Sequence, residues 1–265
     1  MTTLAVIPAR LGATRLHRKP LRLLGGSPLV VRVWQRVQDL RIADHCVIAT
    51  DHPDVAAAAR DAAAECVITK AEHPSGTDRV AEVAARAEFA ERRFDVILNV
   101  QGDEPFVAAE TLTGAIEMVR NRGFPLGTVA IRDDPAILDQ PSVVKVVCAD
   151  DGRALYFSRA AIPFARERAA GVAAHNGDDT FQLARSMIRR HLGVYAYTPA
   201  ALAQWVALPP HPLERIERLE QLRPLAAGMV MGVALVDAPP EPSIDTEDDL
   251  ERANTRWSDF TARHR

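Results

Sequence analysis

Three cysteines are all that this 265-residue chain carries, and no two of them form a CxxC pair. Cys46, Cys66 and Cys148 are widely spaced, and three thiols cannot all pair within one chain. The spacing argues against zinc and for buried thiols in a reducing cytoplasm. No apolar run approaches ~20 residues, so no membrane span is expected. The opening MTTLAVIPAR turns basic too early for a secretory signal. A GxxxxGK[ST] loop is absent, which argues against P-loop kinases and ATPases. No GxGxxG follows the first apolar run, which weakens a dinucleotide dehydrogenase, and there is no HExxH. A net charge of −3 gives no global attraction to nucleic acid or to an anionic membrane.

What is present is ordinary for a soluble enzyme: 48% hydrophobic and 25% charged residues. The length suits one α/β domain over residues 1–265 with a real core. The pattern alternates between short apolar runs and helical periods. Strands are expected at 4–9, 45–50, 66–69 and 95–101. Helices are expected from Ser27–Pro28 as cap and first turn to about 40, then at 53–64, 77–89 and 108–120. This is the signature of a doubly wound, mostly parallel sheet. After residue 127 three strand-like pieces follow closely, at 128–133, 143–150 and 154–159. A fourth is at 191–198. We read 128–200 as a β-rich subdomain inserted in the same sheet. Residues 165–188 are polar and irregular. Further helices are expected at 199–206, 213–225 and 246–260, with a late strand at 229–237.

The most informative segment is AVIPARLGATRLHRKPL, residues 5–21. An apolar strand ends at Pro8, and Arg10, Arg15, Arg18 and Lys19 follow with no acidic residue between them. Arginine forks and a lysine point charge suit phosphate oxygens. The carboxyl end of a strand is where α/β proteins hold ligands. In a mildly acidic chain, such a loop favours a small anion over a long polyanion. The second segment is NVQGDEP, residues 99–105: a strand, a turn at Gly102, then Asp103 and Glu104. Carboxylates there suit a magnesium ion shared with phosphate oxygens. A solvated turn explains the same residues.

In EHPSGTDRVAEV, residues 72–83, Ser75 or Thr77 can cap a helix, and Asp78 and Glu82 favour its dipole. The Gly76 loop also brings backbone close to a ligand. In SIDTEDDL, residues 243–250, Thr246 and Asp249 resemble a capping box, leaving Asp245 free for a metal. His191 and Tyr195 share one strand face. Glu220 and Gln221 are neighbours on the expected helix 213–225, whose Leu213, Ile216, Leu219 and Leu222 form an apolar stripe.

Taken together, these segments resemble the 3-deoxy-D-manno-octulosonate (KDO) cytidylyltransferases. The matching stretches are IPAR, TRL and KPL (7–21), ATD (49–51), HPSGTDRVAEV (73–83), NVQGDEP (99–105), VVKVV (143–147), ALYFSRAAIPF (154–164), RHLGVYAY (190–197), LERIERLEQLR (213–223) and IDTEDDL (244–250). The resemblance implies a glycosyltransferase-A-like nucleotidyltransferase fold and a homodimer joined through the β-rich half. It implies CTP and KDO as substrates, Mg2+ as the metal, and the reaction CTP + KDO → CMP-KDO + diphosphate for lipopolysaccharide synthesis. It assigns Pro8, Ala9, Arg10, Arg15 and Lys19 to the triphosphate loop, and Ser75, Gly76 and Arg79 to the nucleoside. Gln101 is placed between nucleotide and sugar. Asp103 and Asp245 become metal ligands, with Arg10, Arg15, Lys19 and Asp103 as the catalytic set. Arg159, His191, Tyr195, Glu220 and Gln221 fall to the sugar-acid pocket. The chain departs from the family pattern at His17-Arg18, where Pro-Gly is usual, at Ala13 for serine and at Ser243 for glycine. Another sugar acid, of 8-amino-KDO or sialic-acid type, stays open as the acceptor. So does a nucleotide-binding regulator without turnover.

Overall fold

A computed structural model describes residues 1–12, 15–164, 183, 185–239 and 242–263. Most of the irregular stretch 165–188, together with Ala13, lies outside the described residues. Strand β1 (Thr3–Ala9) is almost wholly buried, as its apolar run requires. Strands β2 (Leu23–Leu24) and β3 (Ser27–Pro28) form a small hairpin before helix α1 (Leu29–Leu40). Ser27 is therefore not the expected helix cap. Gly25 and Gly26 take positive φ of 53° and 80°, and such a two-residue turn closes a hairpin.

The chain then alternates through β4 (His45–Thr50), α2 (Pro53–Asp61), β5 (Cys66–Ile68), α3 (Gly76–Ala85) and α4 (Ala87–Ala90). The expected helix 77–89 is broken between α3 and α4. Arg86 leaves the helical region there, and its guanidinium turns back to Glu82 and the Ile68 carbonyl. Next come β6 (Val96–Asn99), α5 (Ala109–Arg120) and β7 (Leu126–Arg132). The β-rich half supplies β8 (Lys145–Cys148), β9 (Ala154–Ser158) and β10 (Arg189–Tyr197). It is followed by α6 (Pro199–Ala207), α7 (Pro212–Glu217), α8 (Leu222–Ala226), β11 (Met231–Leu235) and α9 (Glu247–Arg263).

The expected helix 213–225 is two short helices. Arg218 is left-handed at φ 53°, and Pro224 has no N–H for an i−4 bond. The break frees Ile216 from the predicted core stripe, and it is 78% exposed. It also puts Glu220 in a turn, not on a helix.

Along the main path the sheet runs β11-β7-β10-β6-β1-β4-β5. Strands β6, β1, β4 and β5 are parallel neighbours. Strand β10 is antiparallel to both β6 and β7, and the β8–β9 hairpin branches from it. Two apolar cores cover the two faces of the sheet, which makes this a three-layer α/β fold. A third cluster joins Leu16, Leu24, Leu29 and Phe106 to Ile244, Leu250 and Ala253. It pins α9 beside the loop that follows β1. Of the free thiols, Cys46 and Cys148 are buried and Cys66 is half-buried. No helix among the described residues is long and apolar enough to cross a membrane.

Candidate active site

A cleft of about 380 Å³ opens at the carboxyl ends of β1 and β6. Its walls include Pro8, Ala9, Arg10, Arg15, Lys19, Ser75, Gly76, Arg79, Gln101, Asp103 and Asp245. Eleven residues assigned through the resemblance thus meet in one place. Two glycines make that meeting possible. A Cβ on Gly102 would stand 2.9 Å from the Pro8 carbonyl oxygen, and one on Gly76 would stand 3.3 Å from the Pro8 ring. Only a bare Cα lets the turn after β6 close onto the end of β1.

The cationic wall is built from the loop after β1. Leu16 is 1% exposed and anchors the loop in the third apolar cluster. Arg15 and Lys19, on either side of it, are free to face the cleft. Arg18 sits at φ 53°, where the family pattern has glycine, and pairs with Asp54 at 2.5 Å. Lys19 Nζ contacts Asp103 Oδ2 at 2.5 Å and Asp245 Oδ1 at 2.8 Å, while Arg15 reaches Asp245 at 3.2 Å. Burial pulls the lysine pKa down, but the two carboxylates outweigh it and hold Lys19 above its ordinary value. Burial raises the Asp245 carboxyl, and Lys19 and Arg15 reverse that, leaving it below the usual range.

Asp245 is placed by backbone. Ile244 N–H donates to the Asp103 carbonyl at 3.0 Å, so the two acidic segments are stitched together. Thr246 and Asp249 form the expected reciprocal cap at the start of α9. Asp249 also accepts from the Asp245 N–H at 3.1 Å. The departure at Ser243 adds a hydroxyl donated to Asp245 at 3.2 Å. Next to Asp103, the half-buried Glu104 carboxyl is pushed up to about 8 by burial, with the Asp103 charge adding to the effect.

The opposite wall starts at α3. Ser75 caps the helix by accepting from Asp78 N–H at 3.2 Å. Its hydroxyl also lies 2.6 Å from both Asp78 and Glu220. Arg79 is 3% exposed, held by the Thr69 hydroxyl and by Asp51 at 3.5 Å. His73, absent from the sequence assignment, also lines the cleft and meets Glu82 at 2.5 Å. Gly12, Leu16, Pro20 and Gly102 were likewise unassigned and line it. All lie inside the quoted motifs, which was the available signal.

Of the residues assigned to the sugar acid, Gln101 lines this cleft, whereas Arg159, His191, Tyr195, Glu220 and Gln221 do not. Glu220 touches it through Ser75, and the Gln101 amide donates to the Gly193 carbonyl at 2.9 Å, tying the cleft wall to β10. His191 and Tyr195 adjoin on β10, with ring centroids 5.5 Å apart. His191 meets Thr128 Oγ1 at 2.9 Å, and burial pulls its pKa down to about 3, so the imidazole is neutral. Gln221 is 3% exposed. Arg159 donates to the carbonyls of Glu217 and Pro141, tying the end of β9 to α7 and the 141 loop.

Comparison with known proteins identifies the class to which this fold and cleft belong, the nucleotidyltransferases. The sequence profile of the cytidylyltransferase family matches residues 4–231. A 3-deoxy-manno-octulosonate cytidylyltransferase of Gemmatimonas aurantiaca is 62% identical over 257 residues, 97% of this chain and 95% of its own. One from Polynucleobacter asymbioticus is 41% identical over 251 residues, covering 94% and 93%. The solved structure of a CMP:2-keto-3-deoxy-manno-octonic acid synthetase complexed with CTP superposes with a TM-score of 0.83. It is 32% identical over 98% of this chain and 99% of that one. The chain belongs to the 3-deoxy-manno-octulosonate cytidylyltransferase family.

Proposed function

We propose that the protein activates KDO: CTP + KDO → CMP-KDO + diphosphate. The observation that carries this reading is the meeting of Arg10, Arg15 and Lys19 with Asp103 and Asp245 at one cleft mouth. In this reading Arg10, Arg15 and Lys19 hold the β- and γ-phosphates and stabilise the leaving diphosphate. Ser75, Gly76 and Arg79 hold the nucleoside. The sugar acid docks on the side of Gln101, Glu220, Tyr195 and His191, and its anomeric hydroxyl attacks the α-phosphorus. Catalysis is then positioning plus electrostatic stabilisation. No side chain is assigned as an essential base.

Mg2+ is the metal that the donor set suits. Asp103 and Asp245 offer hard oxygens on two sides of the Lys19 ammonium, which stands where a metal cation would be held. Among the described residues no cluster of three or more His, Cys, Asp or Glu forms a metal cage. Two carboxylates leave the remaining coordination to phosphate oxygens and water, as Mg2+ prefers. Asp103 and Asp245 would hold the ion, which would supply Lewis-acid polarisation of a phosphoryl oxygen and lower the pKa of a hydroxyl. A homodimer is part of the proposal, supported by Leu155 and Phe164, which lie 52% and 70% exposed in the β-rich half. A cytoplasmic role in lipopolysaccharide synthesis is supported by the kinship and by the free thiols.

Diphosphate release with CTP and Mg2+ tests the reading, comparing KDO, 8-amino-KDO and N-acetylneuraminate. Release with KDO at the highest kcat/KM is the expected result. Release with another acid alone overturns the acceptor. CTP binding with no release from any acceptor overturns the activity.

A further inference from the structure

One ammonium and two carboxylates share the mouth of the cleft. Lys19 Nζ is 2.5 Å from Asp103 and 2.8 Å from Asp245, and its side chain is 14% exposed. Its N–H groups engage one oxygen of each carboxylate, Asp103 Oδ2 and Asp245 Oδ1, the hard donors that a divalent cation also seeks. Two positive centres cannot share those oxygens without strong repulsion. The backbone of Lys19 is fixed at the start of a short 3-10 turn, directly after left-handed Arg18. Its four-carbon stem, in contrast, lets the ammonium swing while the backbone stays in place. A triphosphate entering beside Arg10 and Arg15 offers the ammonium a more highly charged set of acceptors.

We infer that Lys19 is a resident counter-cation that withholds Asp103 and Asp245 from a divalent metal until a triphosphate draws it away. Metal and nucleotide then enter as a coupled pair, each raising the other's affinity by the same factor. The inference rests on the proposed reading of Asp103 and Asp245 as metal ligands. It adds a second role to Lys19, which that reading assigns to phosphate alone.

The test is Mn2+ binding, followed by the free-ion electron paramagnetic resonance signal, with and without CTP and with no sugar acid present. Wild-type protein is expected to bind Mn2+ tightly only with CTP. Lys19→Met is expected to bind Mn2+ without CTP at least about tenfold more tightly than wild type. Arg15→Met removes an equal charge beside Asp245 but leaves the ammonium in place, and is expected to gain under about threefold. Equal gains in both variants reduce the effect to net charge and overturn the inference. No gain in Lys19→Met overturns it as well. Lys19→Gln repeats the measurement if the Met variant misfolds by circular dichroism. Asp103→Asn with CTP separates the two readings. Unchanged Mn2+ affinity there removes the ligand assignment and the inference with it. Lost affinity there, with no gain in Lys19→Met, overturns the inference alone.

Discussion

The Pro8 carbonyl oxygen lies 2.9 Å from where a Cβ on Gly102 would stand. The end of β1 and the turn after β6 are therefore in backbone contact, and Asp103 follows directly. Gly102→Ala forces backbone to move, since no flexible side chain is there to yield. Overpacking of this kind costs about 1–3 kcal/mol. The larger effect is expected on catalysis, because a shift of about 1 Å at a reacting centre costs about 100-fold. Thermal melting and diphosphate-release kinetics on the same preparation check both. A variant with full kcat/KM shows that the contact does not position Asp103.

Asp103→Asn and Asp245→Asn each remove a charge beside Lys19 at the cleft mouth. Each is expected to lower kcat by about 10²–10³-fold, the usual cost of one lost electrostatic stabiliser. The affinity for CTP is expected to change far less, because Arg10 and Arg15 remain. Initial rates with varied CTP separate kcat from KM. A loss confined to KM assigns the aspartates to binding alone.

Leu16→Ala tests the anchor of the cationic loop. Its side chain is buried in the cluster with Ile244 and Leu250, so truncation costs about 2–5 kcal/mol. The loop bearing Arg15 and Lys19 loses its fixed point, and KM for CTP is expected to rise more than KM for the sugar acid. Urea melts and the two KM values read this out. Equal rises in both point to general loosening.

His191 makes stability depend on pH. Its folded pKa of about 3 lies below the ordinary 6.5, because burial disfavours the charged ring. Between those values the unfolded chain binds a proton that the folded protein does not. This contribution is fully present above pH 6.5 and is lost as the pH falls, at roughly 1.4 kcal/mol per pH unit. His191→Gln removes the titrating ring, so its stability curve is expected to be flatter by that slope between pH 4 and 6. Denaturant melts across this range check it. Parallel curves assign the acid sensitivity to other groups.

Strand β1 and the two strands beside it were legible because a buried parallel strand must be an unbroken apolar run. The hairpin at Leu23–Pro28 is hidden in the sequence because Ser-Pro serves a helix start and a strand equally well, and the preceding Gly25-Gly26 decides the matter. Pro224 announced the break of the 213–225 helix, but the spacing of Leu213, Ile216 and Leu219 concealed it. In the site, Arg10, Lys19, Asp103 and Asp245 stood out through local motifs. Their convergence is a tertiary fact: nothing in the spacing says that Ile244 donates to the Asp103 carbonyl. Leu16 is silent in the sequence because a leucine in a basic loop carries no chemical signal until its burial is seen.

Strand β10 sits between β6 and β7, although β7 directly follows β6 and α5 in the chain. During synthesis, β7 therefore emerges before the strand that must bridge it to its neighbour. Strands β1, β4, β5 and β6 can pair early, while the edge of β6, with Val96, Ile97 and Leu98, stays uncovered until residues 189–197 leave the ribosome. The nascent chain thus carries a sticky, half-built sheet through much of its elongation. A product truncated before β10 leaves that edge of β6 open and is expected to aggregate more readily than the full chain.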